Sequence, residues 1–284
     1  MVSNLMGSDE PPEPLYAALS GAGEQDVLLL HGLFGMGSNL GGLARALAPF
    51  YRVHQLDLPN HGRSPWQTPS NLGGLAASVA GYLDGLGGKP AALVGHSLGG
   101  KVVMQLALHS PEHVAALVVA DIAPIAYSAS HGAVFAALEA VTAAAPRSRG
   151  EAAGIMRSFV EEDGVLQFLM LSLRREATGV YSWRFNVKGL GDSYAAIREA
   201  PGGTTYGGPA LFVSGELSAY VNASGEAAAR ALFPQAGFTT LEGAGHWLHA
   251  EKPEEFNSAV LGFLHECFAT ETTAAPDDEV TRWS

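Results

Sequence analysis

A serine flanked by glycines stands where a strand-like apolar run gives way to a stretch of helical spacing. The segment ALVGHSLGGKVVMQLAL, residues 92–108, contains the motif G-x-S-x-G centred on Ser97. In a strand, turn and helix context this motif holds a serine on a tight turn with its hydroxyl clear of the sheet. The turn also puts Ser97 at a helix N-terminus, where free N–H groups and the helix dipole favour a developing anion. The pattern predicts a nucleophilic serine.

One of the ten histidines is placed to serve as the base for this serine. A serine hydroxyl is a weak nucleophile until a positioned base takes its proton. His246 lies in the glycine-rich segment LEGAGHWLHAEKP, after a short apolar run and well downstream of Ser97. This agrees with the chain order serine, acid, histidine that accompanies the motif. We predict His246 to be the base and interpret His249 and His96 as structural residues.

Two segments offer the backbone donors that acyl chemistry needs. Attack on an acyl carbon creates an oxyanion, which is usually bound by two backbone N–H groups. Leu98, the residue after the nucleophile, supplies one of them. The segment LLLHGLFGMGS, residues 28–38, is predicted to supply the second from Leu33 or Phe34, and the sequence leaves that choice open.

Two other site types are weaker interpretations of the same residues. His31, His61 and His246 are alternative metal ligands, but the chain lacks the close pairwise spacing that is typical of zinc sites. Lys101 follows Gly100, yet the Walker phosphate-loop spacing is absent. We therefore expect no metal and no cofactor.

The elements that must position these residues form an alternating pattern. Short apolar runs separated by segments of helical spacing indicate a mostly parallel sheet covered on both faces, an α/β fold. The runs are Val27 to Leu30, Val53 to Leu56, Ala91 to Val94, Ala116 to Ala120, Ala210 to Ser214 and Phe238 to Leu241.

An internal segment and both ends depart from this rhythm. Residues 124–201 contain no strand-like run and have helical spacing, which predicts a helical cap inserted into a core of residues 15–123 and 202–268. Residues 1–14 are polar and proline-rich, and residues 269–284 are small and acidic. Both ends are predicted to be disordered.

Composition narrows the partners and the compartment. The formal net charge of -12 and 16 scattered basic residues among 284 argue against nucleic acid and anionic membrane surfaces as partners. The single cysteine, Cys267, cannot form an internal disulfide and fits a reducing compartment. The N-terminus lacks a signal-peptide pattern, and no run of about 18 apolar residues predicts a membrane span. A soluble cytoplasmic protein is expected, with its oligomeric state undetermined.

Together these motifs resemble the α/β-hydrolase superfamily and, within it, the YbfF-type esterases, which are abhydrolase-domain serine esterases. The similarity is carried by HGLFG (31–35), NHGRS (60–64), GHSLGGK (95–101), DIAP (121–124), WRFN (183–186) and GAGHW followed by HAEKP (243–253). The resemblance implies a sheet of about eight strands with a helical cap inserted after the sixth. Pro59 departs from the family pattern, which usually has arginine before Asn-His-Gly.

The acid of the expected triad is the least obvious member. In many α/β-hydrolases it ends a G-x-x-D turn after the seventh strand, but here that turn reads Gly215-Glu216-Leu217-Ser218. Asp121 follows an apolar run next to the nucleophile's strand, and the ends of adjacent parallel strands meet at one rim of the sheet. The resemblance also assigns the acid to the aspartate of DIAP. We predict Asp121 as the acid, with Glu216 as the fallback and a catalytically weakened protein as the third possibility.

These residues predict a serine hydrolase that cleaves small acyl esters or thioesters through an acyl-enzyme. Trp183, Phe185 and Trp247 are expected to shape an apolar substrate pocket. The alternatives are a ligand sensor on a hydrolase scaffold with little turnover, and acyl-transfer, perhydrolase or carbon–carbon hydrolase chemistry with the same triad.

Overall fold

The strands form one large sheet and one hairpin. The computed structural model describes residues 14–67 and 70–269. Its strands are Ala17–Ser20 (β1), Asp26–Leu30 (β2), Arg52–Leu56 (β3), Ala91–His96 (β4), Val114–Ala120 (β5), Leu173–Arg175 (β6), Tyr181–Trp183 (β7), Ala210–Gly215 (β8) and Ala236–Leu241 (β9). Seven of them pair in the order β1-β3-β2-β4-β5-β8-β9. β1 pairs antiparallel with β3, and the other pairs in this sheet are parallel.

Helices cover both faces of the sheet. They are Gly41–Leu47 (α1), Leu72–Gly85 (α2), Leu98–His109 (α3), Gly132–Ala144 (α4), Arg149–Met156 (α5), Asp163–Leu171 (α6), Val187–Ile197 (α7), Ala223–Leu232 (α8), Leu248–Glu251 (α9) and Pro253–Ala269 (α10), with short 3-10 helices at Gly37–Leu40 and Pro111–His113. Residues of α2, α3 and α8 pack on one face, and residues of α1 and α10 pack on the other.

The central strands read as continuous apolar runs because both of their faces are buried. Successive strand residues point to opposite faces, so Leu28 and Leu30 of β2 join the cluster under α2 and α3. Val27 and Leu29 join the cluster under α1 and α10. Along a strand that is covered on both faces, polar residues therefore do not alternate with apolar ones.

The predicted α/β-hydrolase architecture is confirmed, with one difference in strand count. The described residues contribute seven strands to the main sheet, where about eight were expected, and the inserted segment follows the fifth, β5. The six apolar runs found in the sequence correspond to β2, β3, β4, β5, β8 and β9. The seventh, β1, is a four-residue edge strand with partly exposed positions, so it carries no apolar run.

The segment between β5 and β8 has its own small core. It contains α4 to α7 and also the β6–β7 hairpin, which sequence reasoning missed because each strand has only three residues. Buried side chains of this segment, among them Leu138, Met156 and Trp183, pack together with Phe34 of the core. The predicted disordered ends, 1–14 and 269–284, lie almost wholly outside the described residues.

Candidate active site

Ser97 lies on a strained turn between β4 and α3. Its backbone has φ 52° and ψ −115°, a left-handed conformation that is costly for a residue with a side chain. The turn is held from both sides: Ser97 N–H donates to Ala120 O at 3.0 Å, and Gly99 N–H donates to His31 O at 3.1 Å. The strain is thus offset by hydrogen bonds to the two adjacent strand ends.

The glycines beside Ser97 are required by close backbone approach. A Cβ atom at Gly95 would lie 2.3 Å from Gly99 O, and one at Gly99 would lie 2.3 Å from Leu30 O. Neither position has room for a side chain unless the backbone moves. The two glycines therefore fix the height at which the serine hydroxyl stands above the sheet.

The imidazole of His246 links the serine to a carboxylate. His246 lies in the loop between β9 and α9, with Nε2 3.1 Å from Ser97 Oγ and Nδ1 2.6 Å from Asp121 Oδ2. An ionised carboxylate only accepts hydrogen bonds, so Nδ1 carries the proton and Nε2 is free to accept the serine proton. The ring of Tyr220 stacks on the imidazole with centroids 4.1 Å apart and holds its plane.

Asp121 is a buried carboxylate at the end of β5. Oδ1 accepts from Gly215 N–H at 3.0 Å. Oδ2 accepts from the Ser218 hydroxyl as well as from His246. Residue 218, where related enzymes often have the acid, therefore supplies a donor to the acid instead.

Glu216, the fallback acid, is turned away from the imidazole. Its side chain is exposed, and Oε2 accepts from Gly243 N–H at 2.8 Å. Within residues 14–67 and 70–269 its carboxylate makes no hydrogen bond to His246. The geometry therefore favours Asp121 between the two predicted candidates.

Two residues with backbone N–H groups that could bind an oxyanion line the same cavity as Ser97. Leu33 and Leu98 both line the cavity next to Ser97. Neither N–H has a hydrogen-bond acceptor among the described residues. Phe34 N–H, in contrast, donates to His61 Nε2 at 3.2 Å. Of the two residues between which the sequence left the choice open, the hydrogen bonding of Phe34 favours Leu33 as the second oxyanion donor beside Leu98.

His31 and His61 brace this loop as neutral side chains. Nδ1–H of His31 donates to Gly32 O at 2.8 Å, and its Nε2 accepts from Leu58 N–H at 3.0 Å. Nδ1–H of His61 donates to Pro59 O at 2.9 Å. Burial lowers the pKa of His31 to about 4 and that of His61 to about 3. Each ring therefore donates at one nitrogen and accepts at the other.

A cavity of about 800 Å³ opens above the serine, between the sheet and the inserted segment. Trp247 lies on its wall as predicted, but Trp183 and Phe185 do not. Trp183 Nε1–H donates to Leu138 O at 3.1 Å, and its ring stacks on Phe185. Both aromatic residues are almost fully buried in the core of the inserted segment. Their predicted role as pocket residues is therefore replaced by a packing role.

Other residues of the cavity wall were not identified from the sequence. They include His131, Phe168, Tyr194 and Tyr220. The first three belong to the inserted segment and reach the serine only because that segment folds over the sheet. Tyr220 lies in the loop between β8 and α8, and no local sequence pattern distinguishes it from other loop residues.

Lys101 connects the nucleophile's helix to both ends of the inserted segment. Its ammonium donates to the carbonyls of Ile125 at 3.0 Å, Arg198 at 2.6 Å and Glu199 at 2.6 Å. It also lies 4.8 Å from the centre of the Tyr127 ring. Burial lowers the pKa of Lys101 to about 8. All three protons of the ammonium are thus used to hold the points where the chain enters and leaves the inserted segment.

Residues 14–67 and 70–269 contain no group of three or more His, Cys, Asp or Glu side chains arranged to hold a metal ion. In the same part of the chain, no helix combines the length and the apolar character that crossing a membrane requires.

Comparisons with known proteins relate the chain to one family and to named relatives. The profile of the Alpha/beta hydrolase family matches residues 27–259. Esterase YbfF of Escherichia coli is 39% identical over 241 residues, covering 84% of this chain and 93% of its own length. The mouse protein named sn-1-specific diacylglycerol lipase ABHD11 is 40% identical over 273 residues, covering 92% of this chain and 89% of its own.

A solved structure gives the same result at the level of the fold. A marine microorganism esterase superposes with a TM-score of 0.85 at 30% identity, covering 88% of this chain and 99% of its own. Relatives with this identity and coverage identify both the fold and the general activity of the chain. The chain therefore belongs to the α/β-hydrolase family and is a carboxylic ester hydrolase.

Proposed function

We propose that the protein hydrolyses small acyl esters or thioesters with Ser97, His246 and Asp121 as its catalytic triad. One observation carries the proposal: Asp121 Oδ2 lies 2.6 Å from His246 Nδ1, and His246 Nε2 lies 3.1 Å from Ser97 Oγ. These are the distances at which a base takes a hydroxyl proton while an acid holds its ring. Ser97 is thereby the nucleophile.

The reaction proceeds in two halves that use the same imidazole. His246 Nε2 takes the proton of Ser97 as Oγ bonds to the acyl carbon, and the N–H groups of Leu33 and Leu98 bind the oxyanion. The protonated imidazole, balanced by Asp121, gives that proton to the leaving oxygen or sulfur as its bond to the acyl carbon breaks. Water then attacks the acyl-enzyme with His246 again as base, which releases the acid and restores the serine.

The cavity and the relatives support the substrate class. A volume of about 800 Å³ lies within the range that holds a drug-sized molecule. The names of the relatives, an esterase and a diacylglycerol lipase, favour oxygen esters with an apolar acyl chain. Apolar side chains on the wall, among them Val165, Phe168 and Trp247, suit such a chain.

Two measurements test the proposal: the turnover of p-nitrophenyl esters, and mass spectrometry of the acyl-enzyme trapped during that turnover. The wild type should release p-nitrophenol and gain the mass of one acyl group on the peptide that contains Ser97. Ser97→Ala should lose activity by about 10⁴-fold or more and gain no acyl mass. Ser224→Ala, which changes an exposed serine beside Asn222, is the matched control and should behave as wild type. Equal rates for Ser97→Ala and wild type would refute the triad.

A further inference from the structure

One wall of the cavity begins at the oxyanion loop and carries a histidine outside the triad. Phe34, which follows the proposed oxyanion donor Leu33, contacts the ring of His131 with centroids 6.2 Å apart. His131 immediately precedes α4 and packs against the ring of Tyr194 at 5.5 Å. All of these side chains line the cavity above Ser97.

The same wall continues to the imidazole of the triad. The Arg198 guanidinium lies over the Tyr194 ring at 4.8 Å and donates to the carbonyl of Tyr127. The Tyr127 ring contacts Tyr220 at 5.5 Å, and Tyr220 stacks on His246. An unbroken series of contacts therefore links His131 to the base along one side of the substrate space.

Hydrogen bonds to Tyr194 determine which ring nitrogen of His131 carries the proton. The Tyr194 hydroxyl oxygen accepts from the N–H groups of Ser130 and His131, each at 3.2 Å. Its own proton is then donated to His131 Nδ1, 2.6 Å away. Since Nδ1 accepts, Nε2 carries the ring proton. Nε2 has no hydrogen-bond acceptor within residues 14–67 and 70–269, so His131, which lines the cavity, carries a donor that these residues leave unused.

The surroundings keep this donor neutral. Burial lowers the pKa of His131, and the nearby His246 and Arg198 lower it further. A neutral N–H suits a neutral acceptor oxygen, such as that of an ether, a hydroxyl or a carbonyl. The Ser130 hydroxyl oxygen lies 3.3 Å from Nδ1 and is not a partner of Nε2.

The position of the wall indicates which half of an ester meets it. His246 must protonate the leaving oxygen, so the alcohol portion passes beside the imidazole and along the wall that starts there. The aliphatic and aromatic side chains that suit an acyl chain come from other elements, including Val165 and Phe168 of α6.

We propose that His131 is a specificity-determining residue whose Nε2–H binds an oxygen carried by the alcohol portion of the ester. The enzyme then prefers esters of alcohols with a second oxygen, an ether or a hydroxyl, over esters of purely aliphatic alcohols of the same length. This inference rests on the proposed function of the same site and adds the alcohol to its substrate class.

Two matched pairs of esters test the assignment. The alcohol pair is 2-methoxyethyl butanoate and n-butyl butanoate, which differ only by an oxygen in place of a methylene group. The acyl pair is ethyl 3-methoxypropanoate and ethyl pentanoate. For each pair the ratio of kcat/KM values is compared between wild type and variants, so that differences in intrinsic ester reactivity cancel.

The variants separate the donor from the shape of the side chain. His131→Phe keeps an aromatic ring and removes the donor. His131→Gln restores an N–H, and Tyr194→Phe removes the hydroxyl that fixes the tautomer. His265→Phe, at an exposed histidine, is the matched control. Thermal unfolding of each variant shows whether it is folded.

The expected result is a change in one ratio only. The alcohol-pair ratio should fall roughly tenfold in His131→Phe, which is the size of one lost neutral hydrogen bond. It should fall in part in Tyr194→Phe, recover in His131→Gln and stay at the wild-type value in His265→Phe, while the acyl-pair ratio stays constant.

Three outcomes would overturn the inference. An alcohol-pair ratio that is the same in folded His131→Phe, or in Tyr194→Phe where the first variant does not fold, contradicts the role of His131. A change in the acyl-pair ratio alone contradicts the assignment to the alcohol. Wild type that cleaves none of the four esters contradicts the proposed function itself, whereas the first two outcomes leave that function intact.

Discussion

At the scale of single residues, the backbone and the side chain of Asp121 are both held in place by their surroundings. It is fully buried, has a φ of 50°, and its carboxylate accepts from Gly215, Ser218 and His246. A residue with a side chain adopts this backbone region only where the surrounding structure compensates for the strain. Here the compensation comes from β8, because Asp121 N–H donates to Val213 O at 2.8 Å.

Replacing the two candidate acids should give opposite results. Asp121→Asn removes the charge that balances the imidazolium and allows the wrong tautomer, so kcat should fall by about 10⁴-fold, as in the Ser-His-Asp triad of known proteases. Glu216→Gln should keep most of the activity, because that side chain faces Gly243. Steady-state kinetics with one p-nitrophenyl ester measure both. The reverse pattern would assign the acid to Glu216.

The two buried histidines that brace the loop after β2, His31 and His61, should make stability depend on pH. The pKa of His31 is about 4 in the folded protein, against 6.5 in an unfolded chain. Between these values the unfolded state binds more protons, so the free energy of unfolding falls as the pH falls. His31 alone should remove about 2 kcal/mol between pH 7 and pH 5, and His61 acts in the same direction.

Urea unfolding at several pH values measures this dependence. His31→Gln should be less stable at pH 7 but should lose less stability between pH 7 and pH 5 than wild type. His265→Gln, at an exposed position, should keep the wild-type slope. An unchanged slope in His31→Gln would contradict the role given to this histidine.

At the scale of elements, the nucleophile's helix also anchors the inserted segment. Lys101 lies on α3, one turn after Ser97, and its three acceptors lie where the chain enters and leaves that segment. An ammonium buried in this way is stabilised by its hydrogen bonds, and its removal takes a donor from three carbonyls, of which Arg198 O keeps the N–H of Tyr127 at 3.1 Å. Lys101 therefore attaches α3 to both ends of the segment that carries one wall of the cavity, and hydrogen bonds between Arg198 and Tyr127 also join those two ends.

Lys101→Met should weaken this attachment, while the methionine side chain still fills the volume of the lysine side chain. We expect a loss of about 2 to 4 kcal/mol in the free energy of unfolding, the range for breaking buried charged hydrogen bonds. Hydrogen exchange should rise around Ile125 and Arg198. Lys188→Met, which removes an exposed ion pair with Asp192, is the matched control and should cost less than about 1 kcal/mol. Unchanged exchange around both Ile125 and Arg198 would contradict the anchoring role.

At the scale of the whole molecule, the cavity lies between the sheet and the inserted segment, so both parts determine the substrates that fit.

Val165→Trp on α6 should fill part of the cavity and shift the best acyl chain to a shorter length. We expect about a tenfold loss of kcat/KM for the longest good substrate, the scale of a poorly fitted pocket. Leu171→Trp, at an exposed position of the same helix, should leave the profile unchanged. A p-nitrophenyl ester series measures both, and an unshifted profile in Val165→Trp would remove α6 from the acyl site.

The sequence predicts those parts of the molecule that short-range geometry determines. Ser97 could be identified because Gly95 and Gly99 are needed for its turn, and the central strands β2, β4, β5 and β8 because both of their faces are covered. Asp121 could be placed because the ends of neighbouring parallel strands meet. Each of these features follows from a few consecutive residues.

Features that depend on distant contacts could not be predicted. The choice of Leu33 over Phe34 depends on His61, 27 residues away from Phe34. The packing of Trp183 and Phe185 away from the cavity depends on how the inserted segment folds. The sequence alone does not distinguish an aromatic residue that packs behind the cavity wall from one whose ring faces the cavity.

The meeting point of Ser218 and Asp121 has a consequence for how such triads diverge. An aspartate at 218 would reach the same edge of the imidazole from β8, and two adjacent carboxylates share a proton, so that one remains charged. Replacement of Asp121 afterwards would leave the newer carboxylate in place. A lineage can therefore transfer its triad acid from one strand to the next by two single substitutions, with a carboxylate beside the histidine at every stage.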